Sequence, residues 1–130
     1  MVSDSIGLSI VPPTVLRNAQ HGLGTIQLFI DHDPERHYFT IEGEPTYRFQ
    51  LQQMTLLDVI INNADRKAGH VLVQQGKDGV IGSPDQIWGI DHGICFHTDP
   101  KLRTVIWEFA GSPIPDALQS ALRALEQQLA

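Results

Sequence analysis

Apolar residues recur along this chain with two periods, and the switches between them mark the elements. The helical period is clearest over residues 46 to 62. There Phe49, Met54, Leu57, Ile60 and Ile61 fall near one face, and Leu56 and Val59 widen it. The spacing predicts a helix buried on most sides that stops at Asn62 and Asn63, residues that favour turns and caps. Residues 114 to 130 show the same period: Leu118, Leu122, Leu125 and Leu129 form one stripe, with Pro115 and Asp116 in the first turn. The stripe is most simply core packing.

Strand-like runs fill much of the rest. Residues 5 to 11, SIGLSIV, read as a short strand stopped by Pro12 and Pro13. Residues 14 to 18, TVLRN, read as another, followed by a turn at Gly22 and Gly24 and then by TIQLFI, rich in β-branched and aromatic residues. Residues 31 to 37 are polar and turn-like. VLVQQ (71 to 75) and VIG (80 to 82) predict a β-hairpin whose turn is carried by Gly76, Asp78 and Gly79. After a turn at residues 83 to 85, QIWGI forms a short strand that delivers Asp91. Residues 102 to 107 suit strand and helix equally.

Composition narrows the class. A chain of 130 residues suits a single domain and can bury a real core. With 42% hydrophobic and 18% charged residues it is expected to be globular, not disordered. A formal net charge of −6 disfavours a nucleic-acid surface. The lone Cys95 excludes an internal disulfide and a Cys-rich zinc finger. No run reaches the length of a membrane span, and the start lacks the basic and apolar regions of a signal peptide. A cytoplasmic location is expected.

The chemistry-bearing residues gather in two stretches. The apolar helix runs into NNADRKAGH, which supplies Asp65, Arg66, Lys67 and His70. A hairpin then leads to IDHG, which supplies Asp91. Strands lying side by side can bring these loops together, placing two carboxylates, a lysine and an imidazole around one point. Such a group suits phosphoryl transfer, which needs carboxylates for a metal, a carboxylate near the attacking hydroxyl and a cation on the moving phosphate. Magnesium typically takes one or two carboxylates and leaves its other positions to water and phosphate oxygens. Asp91, between an apolar strand and Gly93, suits the metal. Asp65 suits the base, and Lys67 is the nearby cation.

The order helix, D-x-K-x-x-H, hairpin, I-D-H-G resembles the catalytic half of kinases. Its wording is nearest to the phosphatidylinositol 3- and 4-kinase group, and it also resembles the HipA-type bacterial kinases. The longer stretches VPPTVLRN, QLFIDHDPERHYF, NNADRKAGHVL and GIDHGICFHTDPKLRTVIWEFAG resemble a bacterial, largely actinobacterial, family of kinase-like proteins. The resemblance implies an α+β fold like a kinase C-lobe with its hinge strands, the N-lobe largely absent. It implies ATP and Mg²⁺ or Mn²⁺ as cofactors and a hydroxyl on a protein, lipid head group or metabolite as acceptor. By this likeness Asp65 and Lys67 are catalytic, and Asp91 and His70 face the metal. Gln27, Phe29, Ile30 and Asp31 form a hinge beside the adenine, Leu72 and Ile90 line the floor, and Lys101 and Arg103 meet an anionic substrate. The chain departs from the pattern at His70, where kinases carry asparagine. Imidazole is a poor magnesium ligand and a better one for manganese or zinc. It also departs in having no glycine-rich loop and no lysine before Lys67. A piece of a longer protein, or a reduced form, is expected.

Two other classes stay open. One is a nucleotide- or metal-binding module without transfer. The other is a metallohydrolase using Asp65, His70, Asp91, His92 and His97, although no H-E-x-x-H spacing occurs. Simpler roles compete residue by residue. Asp65, Arg66 and Asp91 can be turn and capping residues, His92 a packing residue and His97 a local hydrogen-bonding one. His32 and His37 fit a solvated loop. Tyr38 and Phe39 are expected in the core, Cys95 as a buried inert thiol, and Trp88 and Trp107 as core or pocket walls. GKDG lacks the G-x-x-x-x-G-K-[ST] pattern of a phosphate-binding loop.

Overall fold

The helical period of residues 46 to 62 is realised as α3 (Arg48–Ile60), entered through a 3₁₀ turn at Pro45–Tyr47. The computed structural model describes residues 2–76 and 81–130. Within them α3 follows α1 (Val2–Ser5), β1 (Thr14–Ala19), β2 (Gly22–Gln27) and α2 (Tyr38–Ile41). It precedes β3 (Val71–Gln74), β4 (Gln86–Gly89) and α4 (Asp116–Leu129). The arrangement is α+β, with two separate antiparallel pairs, β1–β2 and β3–β4.

The main buried face of α3 is Leu51, Met54, Leu57 and Asp58. These positions lie within about a third of a helical turn of one another at 3.6 residues per turn. Phe49 and Val59 fall on the other side and are half-exposed, so the predicted arc was too wide there. Leu56 also points away but is buried, because it lines a small cavity with Phe109, Pro113, Ile114 and Leu118 of the C-terminal segment. Against the main face pack Val71, Val73 and Ile87 of the second sheet, each fully buried. Each such side chain contributes about 1.5–3 kcal/mol by leaving water.

Several local readings are corrected. Residues 5 to 11 form no strand. Val2–Ser5 turns helical, and Leu8 and Ile10 are buried from an irregular segment whose Ile10 carbonyl accepts from Gly89 N–H at 2.6 Å. The first hairpin turns at Gln20 and His21, so Gly22 and Gly24 lie inside β2, and Leu28, Phe29 and Ile30 lie beyond its end. The partner of β3 is QIWG, not VIG: Val71 pairs with Gly89 and Gln74 with Gln86. Ile81 is fully exposed, whereas residues 86 to 89 alternate toward the core as a paired strand must. Of the expected turn residues Asp78 and Gly79 lie outside the described residues, as do Lys77 and Val80. Residues 102 to 107 are neither strand nor helix, with one parallel bridge from Thr104 to Arg66. Tyr38 is buried as expected, but Phe39 and Trp107 are exposed. In α4 only Leu118 is fully buried; Leu122 and Leu125 are partly covered and Leu129 faces solvent. Among the described residues no helix is long and apolar enough to cross a membrane.

The return strand begins at Gln86 because Asp85 is clamped. Its Oδ2 accepts from Tyr47 Oη at 2.5 Å and from Arg36 Nη1 at 3.1 Å, and its Oδ1 accepts from Gly76 N–H at 3.0 Å. Gln50 of α3 donates to the Asp85 carbonyl and accepts from Ile87 N–H at 2.7 Å. The Tyr47 hydroxyl, the Gly76 amide and the Arg36 charge hold the Asp85 carboxyl below the ordinary value of 3.8. A carboxyl depressed in the folded state is protonated first in the unfolded state. Its stabilisation is therefore complete above the unfolded value and fades as pH falls through the folded one. Urea unfolding of Asp85→Asn should show a loss of about 1–3 kcal/mol near neutral pH. It should also show a smaller loss of stability than the parent protein between about pH 5 and about pH 3.

Candidate functional site at the open end of the second hairpin

His70 ends a 3₁₀ turn at Ala68–His70 and directly precedes β3; Ile90 and Asp91 directly follow β4. The ladder continues one step beyond the strands, Ile90 N–H donating to the His70 carbonyl at 3.0 Å. Antiparallel pairing therefore sets His70 beside Asp91 at the open end of the hairpin. His70 Nε2 lies 3.2 Å from Asp91 Oδ2. The other ring nitrogen, Nδ1, lies 3.0 Å from the Asp65 carbonyl. Lys67 N–H also points at Nδ1, at 3.4 Å, so this nitrogen is anchored on the backbone of the turn and Nε2 is left facing Asp91. This is the orientation of a metal-ligating histidine whose far nitrogen is anchored on the backbone.

Asp91 is held in the left-handed region, φ 58°, with its side chain 58% exposed. Aspartate tolerates this conformation better than most residues, but it is uncommon and concentrates at functional turns. Asp65 is held by an Asx-type contact, its N–H donating to Asn63 Oδ1 at 3.0 Å. Its carboxylate pairs with Lys67 Nζ at 3.0 Å. One imidazole thus spans from the Asp65 backbone to the Asp91 carboxylate. The carboxylate of Asp65 itself pairs with Lys67 rather than with His70.

Beneath the loop lies the buried pair Asp58–Arg66. Arg66 Nε and Nη2 donate to the two Asp58 oxygens at 2.8 and 2.7 Å. Nη1 donates to the carbonyls of His70 at 3.3 Å and Ile90 at 3.1 Å, and Nη2 also donates to His92 Nε2 at 2.7 Å. Guanidinium has five N–H donors and no acceptor, so all five are matched and His92 Nε2 must be an unprotonated acceptor. In agreement, burial and then the Arg66 charge push the His92 imidazole down to about 4. Asn63, fully buried, adds a bond from its Nδ2 to Asp58 Oδ1 at 2.9 Å. Gly89 leaves the room: a Cβ there would stand 3.4 Å from both Nη atoms.

The loop after β4 and the later segment lace this turn from either side. Ala64 N–H donates to the Ile94 carbonyl and Phe96 N–H to the Ile61 carbonyl. Arg66 N–H donates to the Arg103 carbonyl, and Asn62 binds the backbone of His97, Asp99 and Lys101.

A cavity of about 200 Å³ is lined by Gln27, Leu28, Phe29, Ile30, His32, Leu72 and Ile90. Five of the six residues expected around a nucleotide therefore surround one space. Asp31 instead lines a separate polar hollow with Asp33 and Gln74. A second cavity, about 470 Å³, is bounded by Thr14, Thr25, Gln27, Asp91, His92 and Gly93, so Gln27 borders both. The side chains of Lys101 and Arg103 are exposed, and their backbones carry the contacts just described. Among the described residues no three His, Cys, Asp or Glu side chains converge on one point. The five-residue hydrolase set is not assembled: His92 is turned inward onto Arg66. His97 engages its neighbours through its carbonyl, and its buried Nε2 has no partner among the described residues. His37 begins α2 rather than lying free in a loop, and Cys95 is only partly buried, burial raising its thiol.

The family model for phosphatidylinositol 3- and 4-kinase matches residues 16–126, which include both loops, the first hairpin from Leu16 on, the second hairpin and most of α4. The chain belongs to the phosphatidylinositol 3- and 4-kinase family. Of the two groups that the loop wording resembles, this match shows the phosphatidylinositol one. Among its relatives, Protein Rv2133c of Mycobacterium tuberculosis is 33% identical over 162 aligned positions, covering 99% of this chain and 55% of that protein. Phosphatidylinositol 4-kinase gamma 4 of Oryza sativa subsp. japonica is 35% identical, covering 85% of this chain and 20% of that protein. Phosphatidylinositol 4-kinase gamma 3 of Arabidopsis thaliana is 26% identical, covering 96% of this chain and 24% of that protein. The chain thus spans about half the length of the mycobacterial relative and about a quarter or less of these plant ones.

The signal that the kinase-family motif alone did not convey is Asp58, an acid inside the apolar run LLDVII, with Arg66 eight residues on. A charge on a buried helical face demands a partner, and Arg66 supplies it. Asp58→Ala should lower the unfolding free energy by about 3–5 kcal/mol, because it strands a buried guanidinium. Lys67→Ala, at an exposed pair, should cost less than about 1 kcal/mol. Denaturant titration of both variants checks the contrast.

Proposed function

We propose that this chain is the nucleotide- and metal-handling part of a kinase-type phosphotransferase, corresponding to the hinge and C-lobe of that fold. The observation that carries the proposal is the pairing of His70 Nε2 with Asp91, where Asp91 borders one of two cavities that share Gln27 and the other is lined by Leu72 and Ile90. In this reading Phe29, Ile30, Leu72 and Ile90 would hold the adenine, and Gln27 and Asp91 would face the phosphates. Asp91 and His70 hold a divalent cation. Two protein ligands fit an ion that takes its remaining positions from water and phosphate oxygens. The donor set, one carboxylate and one imidazole, suits Mn²⁺ better than Mg²⁺. When bound, the cation supplies charge neutralisation on the phosphates. Asp65 accepts the proton of the acceptor hydroxyl, and Lys67, paired with it at 3.0 Å, faces the transferred phosphate. Lys101 and Arg103, both exposed, offer positive charge to an anionic acceptor such as a phosphorylated head group.

A second reading, binding without transfer, is favoured by the first hairpin. All of β2 and all of β1 beyond Thr14 are exposed, and of that hairpin Thr14, Thr25 and Gln27 border the Asp91 cavity, a slight cover for the phosphate side of the cleft.

Calorimetry with ATP and Mn²⁺ and a phosphate-transfer assay separate the readings. Asp91→Asn should abolish metal-dependent nucleotide binding. Asp65→Asn should leave binding nearly unchanged and slow transfer by about 10²–10⁴-fold. Loss of binding in Asp65→Asn as severe as in Asp91→Asn overturns this division of roles. Binding in the parent protein without transfer favours the module. His70→Asn should shift the preferred ion from Mn²⁺ toward Mg²⁺ in the same titrations.

A further inference from the structure

The phosphotransfer reading assigns Arg66 no part, yet its side chain reaches α3, the turn before β3 and the loop after β4. It is 2% exposed and sits between α3, the 3₁₀ turn and the loop after β4. Two of its donors go to Asp58 and one to His92. The other two go to the carbonyls of His70 and Ile90, the residue that bears one candidate ligand and the residue that precedes the other.

We propose that Arg66 is a positioning residue that fixes the separation of His70 Nε2 and Asp91 Oδ2 by holding both backbones from beneath. The proposal rests on the reading of those two side chains as the metal pair.

The physical case has three parts. First, β3 and β4 end at Val71 and Gly89, so the ladder beyond them is a single bond from Ile90 N–H to His70 O. One hydrogen bond at a frayed end opens easily. Nη1 binds both carbonyls at that end and makes one rigid plane of them. Second, Asp91 sits at φ 58°, a conformation that must be imposed by its surroundings. Arg66 holds Ile90 on its N-terminal side and His92 on its C-terminal side, so the residue between them is spanned. Third, only a guanidinium can do this. A lysine in the same place has three donors on one atom and cannot reach five acceptors spread over a plane.

A buried ion pair is not needed for stability, since well-packed apolar residues of similar volume often replace one without loss. That separates positioning from folding. In the double variant Asp58→Leu with Arg66→Met, the buried charges are gone and the two tethers with them. The test compares the parent protein, this double variant and Arg66→Lys, all metal-free. It reads the nuclear Overhauser contact between the His70 ring and the Asp91 Hβ protons, followed by Mn²⁺–ADP affinity by electron paramagnetic resonance.

The expected result is a contact in the parent protein and cooperative unfolding of the double variant at nearly the parent midpoint. That variant should lack the contact and bind Mn²⁺–ADP about 10–100-fold more weakly. Arg66→Lys should lose the contact too while keeping a charge opposite Asp58. A cooperatively folded variant that keeps both contact and affinity overturns the proposal. So does absence of the contact in the parent protein, or failure of both variants to fold, which would make Arg66 a stability residue only. If the parent shows the contact but no Mn²⁺–ADP binding, the phosphotransfer reading falls, and the metal-free contact still decides whether Arg66 positions the pair.

Discussion

A single buried guanidinium, with all five of its donors matched, is the constraint on which the site depends. Asp58 neutralises Arg66 from within α3, and the remaining donors reach the turn before β3 and the loop after β4. Burying such a charge costs several kcal/mol, and the attraction to Asp58 offsets that cost only because the geometry is bidentate and nothing is left unpaired. The network is therefore weak evidence for added stability and stronger evidence for a defined arrangement. It joins three segments that otherwise meet through backbone hydrogen bonds, such as Ile90 N–H to the His70 carbonyl and Phe96 N–H to the Ile61 carbonyl.

That arrangement separates two kinds of environment within a few residues. His92 is held neutral, its Nε2 turned inward onto Arg66. Asp91, its neighbour, is turned outward by a left-handed backbone and meets His70. The inward histidine anchors the loop and the outward aspartate is left exposed. Membership of the phosphatidylinositol 3- and 4-kinase family agrees with a site built on these two loops.

Much of this was legible where local pattern and burial coincide. The α3 and α4 periods, the apolar strand at Val71–Gln74 and the clustering of acid, base and imidazole after α3 could all be read from residue spacing. QIWG was legible as a strand, but its pairing with VLVQ was missed because VIG follows more closely and would complete a shorter hairpin. The choice between them is made by Asp85, which is tied to Tyr47 and Arg36 far upstream. Residues 5 to 11 look like a strand because alternate apolar positions are buried, but no neighbouring strand pairs with them among the described residues. Arg66 was read as a turn residue because spacing carries no record of a partner eight positions back on a helical face. The role of His92 as an acceptor for a guanidinium has no local signature either.

The central claim is that His70 and Asp91 jointly hold a divalent cation at the mouth of the nucleotide cleft. Diffraction from crystals grown with Mn²⁺ and a non-hydrolysable ATP analogue, measured at the manganese absorption edge, addresses it most directly. The account predicts one strong anomalous peak bonded to both His70 Nε2 and Asp91 Oδ2, with phosphate oxygens completing its shell. A nucleotide seated elsewhere, or a manganese peak with His70 and Asp91 still paired only to each other, would contradict it.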